Sequence, residues 1–181
     1  MPKIFFKMII NSSPLIIFGK LNKIDLLKKV FEDLVISEAV YKEVVEKGKL
    51  KNFPEAFIIE EAIKNKIIII KKLSEINRNK AISLLNFYKS IDYGEAETIA
   101  LALQEKQTEV LIDERAARKV ASLYNLKPRG SLRVLLLAFI KKIINEEEIK
   151  KIITEMTKEK FRIGADVISE FWSIFDKIKK S

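Results

Sequence analysis

Short runs of consecutive apolar residues alternate along this chain with longer segments in which apolar positions recur every three or four residues. The short runs fit strands buried on both faces, and the longer segments fit helices with one buried side. A first strand is expected over residues 3–11, where Met8, Ile9 and Ile10 are apolar in succession. Ser13 then reads as a helix cap with Pro14 at the favoured first helical position, and Leu15, Ile16 and Phe18 supply the apolar side. A second helical stretch is expected over residues 25–31. Residues 33–36 read as a short second strand, Ser37 as the cap of a helix carrying Val40, Val44 and Val45, and Gly48 as its stop.

A helix over residues 54–64 precedes a β-branched run at residues 67–70, bounded by lysines, that reads as a third strand. Residues 81–89 are expected to be helical. Asp92 and Glu95 have the spacing of a capping box, opening a helix that is apolar all round over residues 99–103 and is therefore mostly buried. A fourth strand over residues 110–112 ends at Asp113, a helix follows over residues 115–124, and residues 127–129 read as a fifth strand. The remainder predicts helices over residues 131–142, 146–158 and 166–179, the middle one capped by Asn145. Its Ile149, Ile152, Ile153 and Met156 recur at helical spacing, as do Ile168, Phe171, Trp172 and Phe175 in the last helix. Both stripes are expected to face the core, with the subunit interface of a homodimer as the alternative for the Trp172 stripe.

Strands alternating with helices predict an α/β fold in which parallel strands are joined by right-handed crossovers and helices cover both sheet faces. A chain of 181 residues suits one domain, with an α/β core over residues 1–130 and a helical extension over residues 131–181. In such sheets ligand chemistry gathers beyond the carboxyl ends of the strands, where Asn11 and Asp113 both fall.

Composition narrows the chemistry. The chain has neither cysteine nor histidine, which excludes disulfide scaffolds, thiol nucleophiles, Ser-His-Asp catalysis and Cys/His zinc sites. A catalytic metal would need oxygen ligands, which suit magnesium, manganese or calcium. With 34 Lys and Arg against 25 Asp and Glu, the net charge of +9 favours polyanionic partners. Heavy Lys, Glu and Ile usage also fits a thermophile, whose surface would be charged for stability. A polar Asn-Ser-Ser interrupts the first apolar run, and charged residues break the one at 132–144, so neither a secretory signal nor a membrane span is expected and the cytoplasm is the expected location.

Several acidic residues could then carry chemistry. Asp113 closes a strand and is expected to project into the crevice, the structural alternative being to cap the next helix. Glu95 lies in the first turn of a buried helix, where the macrodipole favours negative charge. Glu97, two positions on, is turned roughly 200 degrees around the axis, so Glu95 is expected to face the cleft and Glu97 to meet solvent or a salt bridge. Glu43 lies within the helix after the second strand, with Glu38 near its start as the substitute. Arg115, Arg118 and Lys119 share a helix face that could grip phosphate or simply be solvated.

The segments INSSPLI, VYKEVVEKG, DYGEAETIALAL and LIDERAARKVA, in this order and spacing, resemble the PIN-domain superfamily. They are most similar to a prokaryotic branch related to the toxin subunits of toxin–antitoxin pairs, and the resemblance runs from about Met8 to Leu135. It implies a PIN-like three-layer sandwich around a five-stranded parallel sheet of order 3-2-1-4-5. It also implies a metal-dependent ribonuclease that uses Mg2+ or Mn2+, with RNA as substrate and an antitoxin protein as partner. By position, Glu43, Glu95 and Asp113 match the family's later acidic ligands and Ser13 a supporting hydroxyl. Asn11 stands where active members carry their first Asp. An amide oxygen can ligate a cation but brings no charge, so weaker metal binding is expected. A scaffold that binds RNA or a partner protein without cleavage is the alternative function.

Overall fold

The computed structural model describes residues 7–180. Strands β1 (Lys7–Ile10), β2 (Asp33–Ser37), β3 (Ile68–Lys71), β4 (Glu109–Leu111) and β5 (Lys127–Arg129) form one sheet in the order β3-β2-β1-β4-β5. Every pairing is parallel. The order reverses direction at β1 and β4, the expected position of a ligand crevice. The part of the first predicted strand at residues 3–6 lies outside the described residues.

Alternate residues of a strand point to opposite faces, and here the alternation divides two apolar layers. Ile9, Val35, Val110 and Ile112 point to one side, packed under α6 (Glu75–Phe87), α7 (Tyr93–Gln104) and α8 (Arg115–Leu123). Met8, Ile10, Leu34, Ile36 and Leu111 point to the other. There they meet α1 (Ser12–Lys20), α2 (Ile24–Val30) and α5 (Pro54–Lys64). The last three helices, α9 (Ser131–Ile140), α10 (Glu146–Lys158) and α11 (Ala165–Lys180), join this second layer. Leu135, Ile149, Ile152, Phe171 and Phe175 are all buried in it, so both C-terminal stripes face the core. Trp172 is half-buried and stacks edge-on to Phe171 and Phe175.

The helix after β2 departs from expectation. Ser37 caps it as predicted, its hydroxyl accepting from Val40 N at 3.2 Å. It begins as α3 (Glu38–Tyr41), continues as a π-helical stretch (Lys42–Lys47) and ends as α4 (Gly48–Leu50). Gly48 is no stop: its φ is −63°, and a Cβ there would lie 2.8 Å from Ala56 Cβ. It is a close-packing position against α5. The chain turns at Asn52 instead, one of seven Asn and Lys residues with positive φ among the described residues, while none of the glycines has one.

Two further boundaries differ. Helix α6 starts at Glu75, six positions before the predicted start, because Ser74 caps it by accepting from Asn77 N. Ser13 does not cap α1, which begins at Ser12 with Asn11 as an N-cap that makes no capping bond. The capping boxes at Asp92–Glu95 and Asn145–Glu148 are both formed. Among the described residues no helix is long and apolar enough to cross a membrane.

Candidate functional site

Asn11 leaves β1 in extended conformation and is 3% exposed. Freed from capping, its side chain reaches across the switch point. Nδ2 donates to Glu114 Oε2 at 3.1 Å, and Oδ1 faces Thr98 Oγ1 of α7 at 3.2 Å. Ser12 Oγ donates to Glu43 Oε2 at 2.6 Å, and the Ser13 hydroxyl donates to Glu114 Oε1. Three consecutive residues after β1 thus tie down two carboxylates from distant parts of the chain.

Glu43 is carried by the π-helical stretch, in the second of its six positions. Such segments recur at functional sites, since a wider turn re-aims the side chains it holds. The start of α7 comes close to it: a Cβ on Gly94 would sit 3.1 Å from Glu43 Oε2 and 3.3 Å from Asp92 Oδ1. Glu95 completes the capping box, accepting from Asp92 N at 2.8 Å. Burial pushes its carboxyl up to about 7; the bond from the Asp92 backbone opposes this, and the charges of Asp92, Glu114 and Glu43 add to it. Glu95 therefore shares one electrostatic neighbourhood with Glu43 and Glu114.

Asp113 has a different hydrogen-bond partner. Both its carboxylate oxygens are taken by Ser131, which donates from its backbone N at 2.7 Å and from Oγ at 2.6 Å. It therefore caps α9, three elements onward, and not the helix that follows it directly. Burial pushes its carboxyl up to about 6; the two Ser131 hydrogen bonds oppose this, and the charge of Glu114 adds to it. The neighbouring Glu114 is the residue that reaches Asn11. Its backbone is extended, at φ −64° and ψ 123°, and successive side chains in extended chain point oppositely. The signal for Glu114 was the adjacent Asp-Glu pair at a strand end, of which only one member can turn toward β1.

Two clefts flank this cluster. The larger, of about 1330 Å³, is lined by Glu43, Asp92, Gly94 and Glu97, with Lys42, Lys47, Lys51 and Arg78 among its basic residues. Glu97, rather than Glu95, forms part of its wall. The expectation of solvent or a salt bridge for Glu97 does not hold: it is 7% exposed and accepts from Ala39 N at 2.9 Å. Glu38 pairs with Lys72 at 3.3 Å. The second cleft, of about 550 Å³, holds Asp113 together with Arg115, Arg118, Lys119 and Arg162. Arg115 also meets Asp166 at 3.4 Å, an exposed pair.

A family model for the PIN domain matches residues 7–177. This chain belongs to the PIN-domain family. No curated protein matches it. PIN domains are nuclease-type folds that generally depend on a divalent cation. In this PIN domain the donors around Asn11 are all oxygen, the set that hard cations prefer. The repulsion that Asp92, Glu114 and Glu43 exert on Glu95 is what a bound cation would relieve. The set fits a divalent ion in kind, but it is not a closed cage: among the described residues no three acidic side chains are grouped as a ready metal site.

Proposed function

We propose that this PIN domain is a ribonuclease that depends on Mg2+ or Mn2+ and hydrolyses RNA phosphodiesters. The observation that supports it best is that Asn11 and Ser12, directly after β1, hold Glu114 and Glu43, whose charges both act on Glu95. Glu43, Glu95 and Glu114, with the Asn11 amide oxygen, would hold the ion. Bound there, it would supply charge neutralisation and Lewis acidity for water and phosphoryl oxygen.

The chain's own groups have separate roles. Ser12 and Ser13 hold the Glu43 and Glu114 carboxylates in place. Glu95, with a pKa of about 7, can take up or release a proton near neutral pH. Asp113 fixes the start of α9 through Ser131 and so positions Glu114 from behind. Lys42, Lys47 and Lys51 in the larger cleft, and Arg115, Arg118 and Lys119 in the second, offer the phosphate contacts of an RNA strand.

A second function, an RNA- or protein-binding scaffold that does not cleave, is favoured by one observation. Asn11 turns its N–H group toward Glu114 and gives that carboxylate a neutral donor in place of a second negative charge. Incubation with single-stranded RNA and Mn2+ separates the two. Cleavage by the wild type that Glu114→Ala abolishes supports the nuclease. Binding without cleavage, with cleavage appearing in Asn11→Asp, supports the scaffold. A toxin role predicts growth arrest on expression, relieved by co-expressing an acidic protein encoded beside this gene.

A further inference from the structure

We infer that Glu97 is a positioning residue: from α7 it captures the backbone amide of Ala39 at the start of α3 and so sets where Glu43 meets Asn11 and Ser12. This rests on the proposed role of Glu43 in the site.

A carboxylate that is 7% exposed must gain enough from its partners to offset lost hydration. Its partners here are the Ala39 N–H, at 2.9 Å, and the Tyr93 hydroxyl one turn back on α7. The first turn of a helix has amides with no intrahelical acceptor, and a negative charge beside them is favourable. Ser37 takes the Val40 amide and Glu97 takes that of Ala39. The first acceptor is local, but the second comes from a helix 58 positions away. Glu97 therefore fastens α3 to α7.

That fastening reaches Glu43 by a short path. Only the four residues of α3 precede the π-helical stretch, and Glu43 lies one turn beyond Ala39. Thr98, beside Glu97 on α7, faces Asn11 Oδ1 at 3.2 Å, and Ser12, beside Asn11, donates to Glu43 at 2.6 Å. Asn11, Ser12, Glu43, Ala39, Glu97 and Thr98 thus close a ring through three elements. A closed ring of hydrogen bonds leaves little freedom to slide one element against another. Without Glu97, α3 keeps its own cap, the exposed Glu38–Lys72 pair and its packing, and Glu43 is free to shift away from Ser12.

The test compares Glu97→Gln with Glu97→Ala in the full chain. The glutamine carbonyl can still accept from Ala39 N–H, whereas alanine cannot. Hydrogen exchange at the Ala39 amide should accelerate roughly tenfold in Glu97→Ala and stay near wild type in Glu97→Gln. The 13C shift of the Glu43 carboxyl should move in Glu97→Ala alone. Both readouts hold whether or not the protein cleaves RNA, so failure of the nuclease function is distinguishable from failure of this inference. If cleavage is present, kcat should fall roughly ten- to a hundredfold in Glu97→Ala with KM unchanged, and Gln should rescue it. Unchanged Ala39 exchange in Glu97→Ala overturns the inference. So does an equal loss of cleavage in both variants, which would make Glu97 a proton-transfer group of the cleft. Should Glu97→Ala fail to fold, Glu97→Met, which fills similar volume without an acceptor, replaces it.

Discussion

Asn11 and Glu114, 103 positions apart in sequence, meet through a hydrogen bond of 3.1 Å in which the Asn11 amide is the donor. A neutral N–H group thereby does for Glu114 part of what a cation would do. Aspartate in the same place would set two like charges together and make the ion-free state unfavourable. The amide at Asn11 is thus matched by a hydrogen bond that suits it.

Asn11→Asp is accordingly expected to lower stability without divalent ions by roughly 1–3 kcal/mol, through a lost hydrogen bond and added repulsion. Mn2+ should raise its melting temperature more than that of the wild type, because an ion bound only by the folded state shifts the equilibrium toward folding. Thermal melts in EDTA and in Mn2+ check both. Equal stability of the two proteins in EDTA would count against this account of Asn11.

The two adjacent acids at the end of β4 should behave differently. Asp113→Ala leaves the Ser131 amide and hydroxyl without acceptors and should cost roughly 1–3 kcal/mol in chemical denaturation. Glu114→Gln keeps an oxygen that can accept from Ser13 or Asn11, so its stability should change by less than about 1 kcal/mol while Mn2+ affinity falls. Calorimetric titration with Mn2+ beside the denaturation curves would reveal a reversed pattern, which would return the cation-facing role to Asp113.

Stability of the ion-free protein should depend on pH through Asp113 and Glu95. Their carboxyls rise from 3.8 to about 6 and from 4.5 to about 7. Both folded values lie above the unfolded ones, so the folded chain binds more protons in between. The contribution is fully present below about pH 4 and is lost as pH rises through 6 to 7. For Asp113 the difference corresponds to about 3 kcal/mol. Asp113→Asn should flatten the profile measured by denaturation in EDTA between pH 4 and 8, and an unchanged slope would refute the assignment.

Gly48→Ala is expected to destabilise by roughly 1–3 kcal/mol, because the added Cβ would meet Ala56 Cβ at 2.8 Å. Ala56→Gly should recover part of that loss in the double variant. A helix stop would behave otherwise, since a residue at φ −63° carries no backbone penalty for alanine. Lack of coupling between the two positions in a double-mutant cycle would argue for independent sites.

Much of the scaffold was legible in the residues alone. Apolar runs such as Met8–Ile9–Ile10 can be satisfied only between two covered faces, so strand identity followed from local composition. Capping at Ser37, Asp92 and Asn145 could be read because a cap and its amide lie three residues apart. The strand order came from resemblance to the PIN-domain family and matches the sheet found here. Helix α6 was underestimated at its start because its first turns are mostly polar and exposed, with no apolar rhythm to mark them.

Which acids face each other was a different kind of question. Asp113 and Glu114 are neighbours of nearly the same chemistry, and their assignment depends on Ser131 and Asn11, which reach them only once β1, β4 and α9 are packed. Glu97 gained its amide partner in the same way, through the docking of α3 on α7. Periodicity and capping act over a few bonds and are written into adjacent residues. Hydrogen bonds and charge repulsion between remote side chains depend on distances of a few ångströms, which no spacing along the chain encodes and only packing brings about.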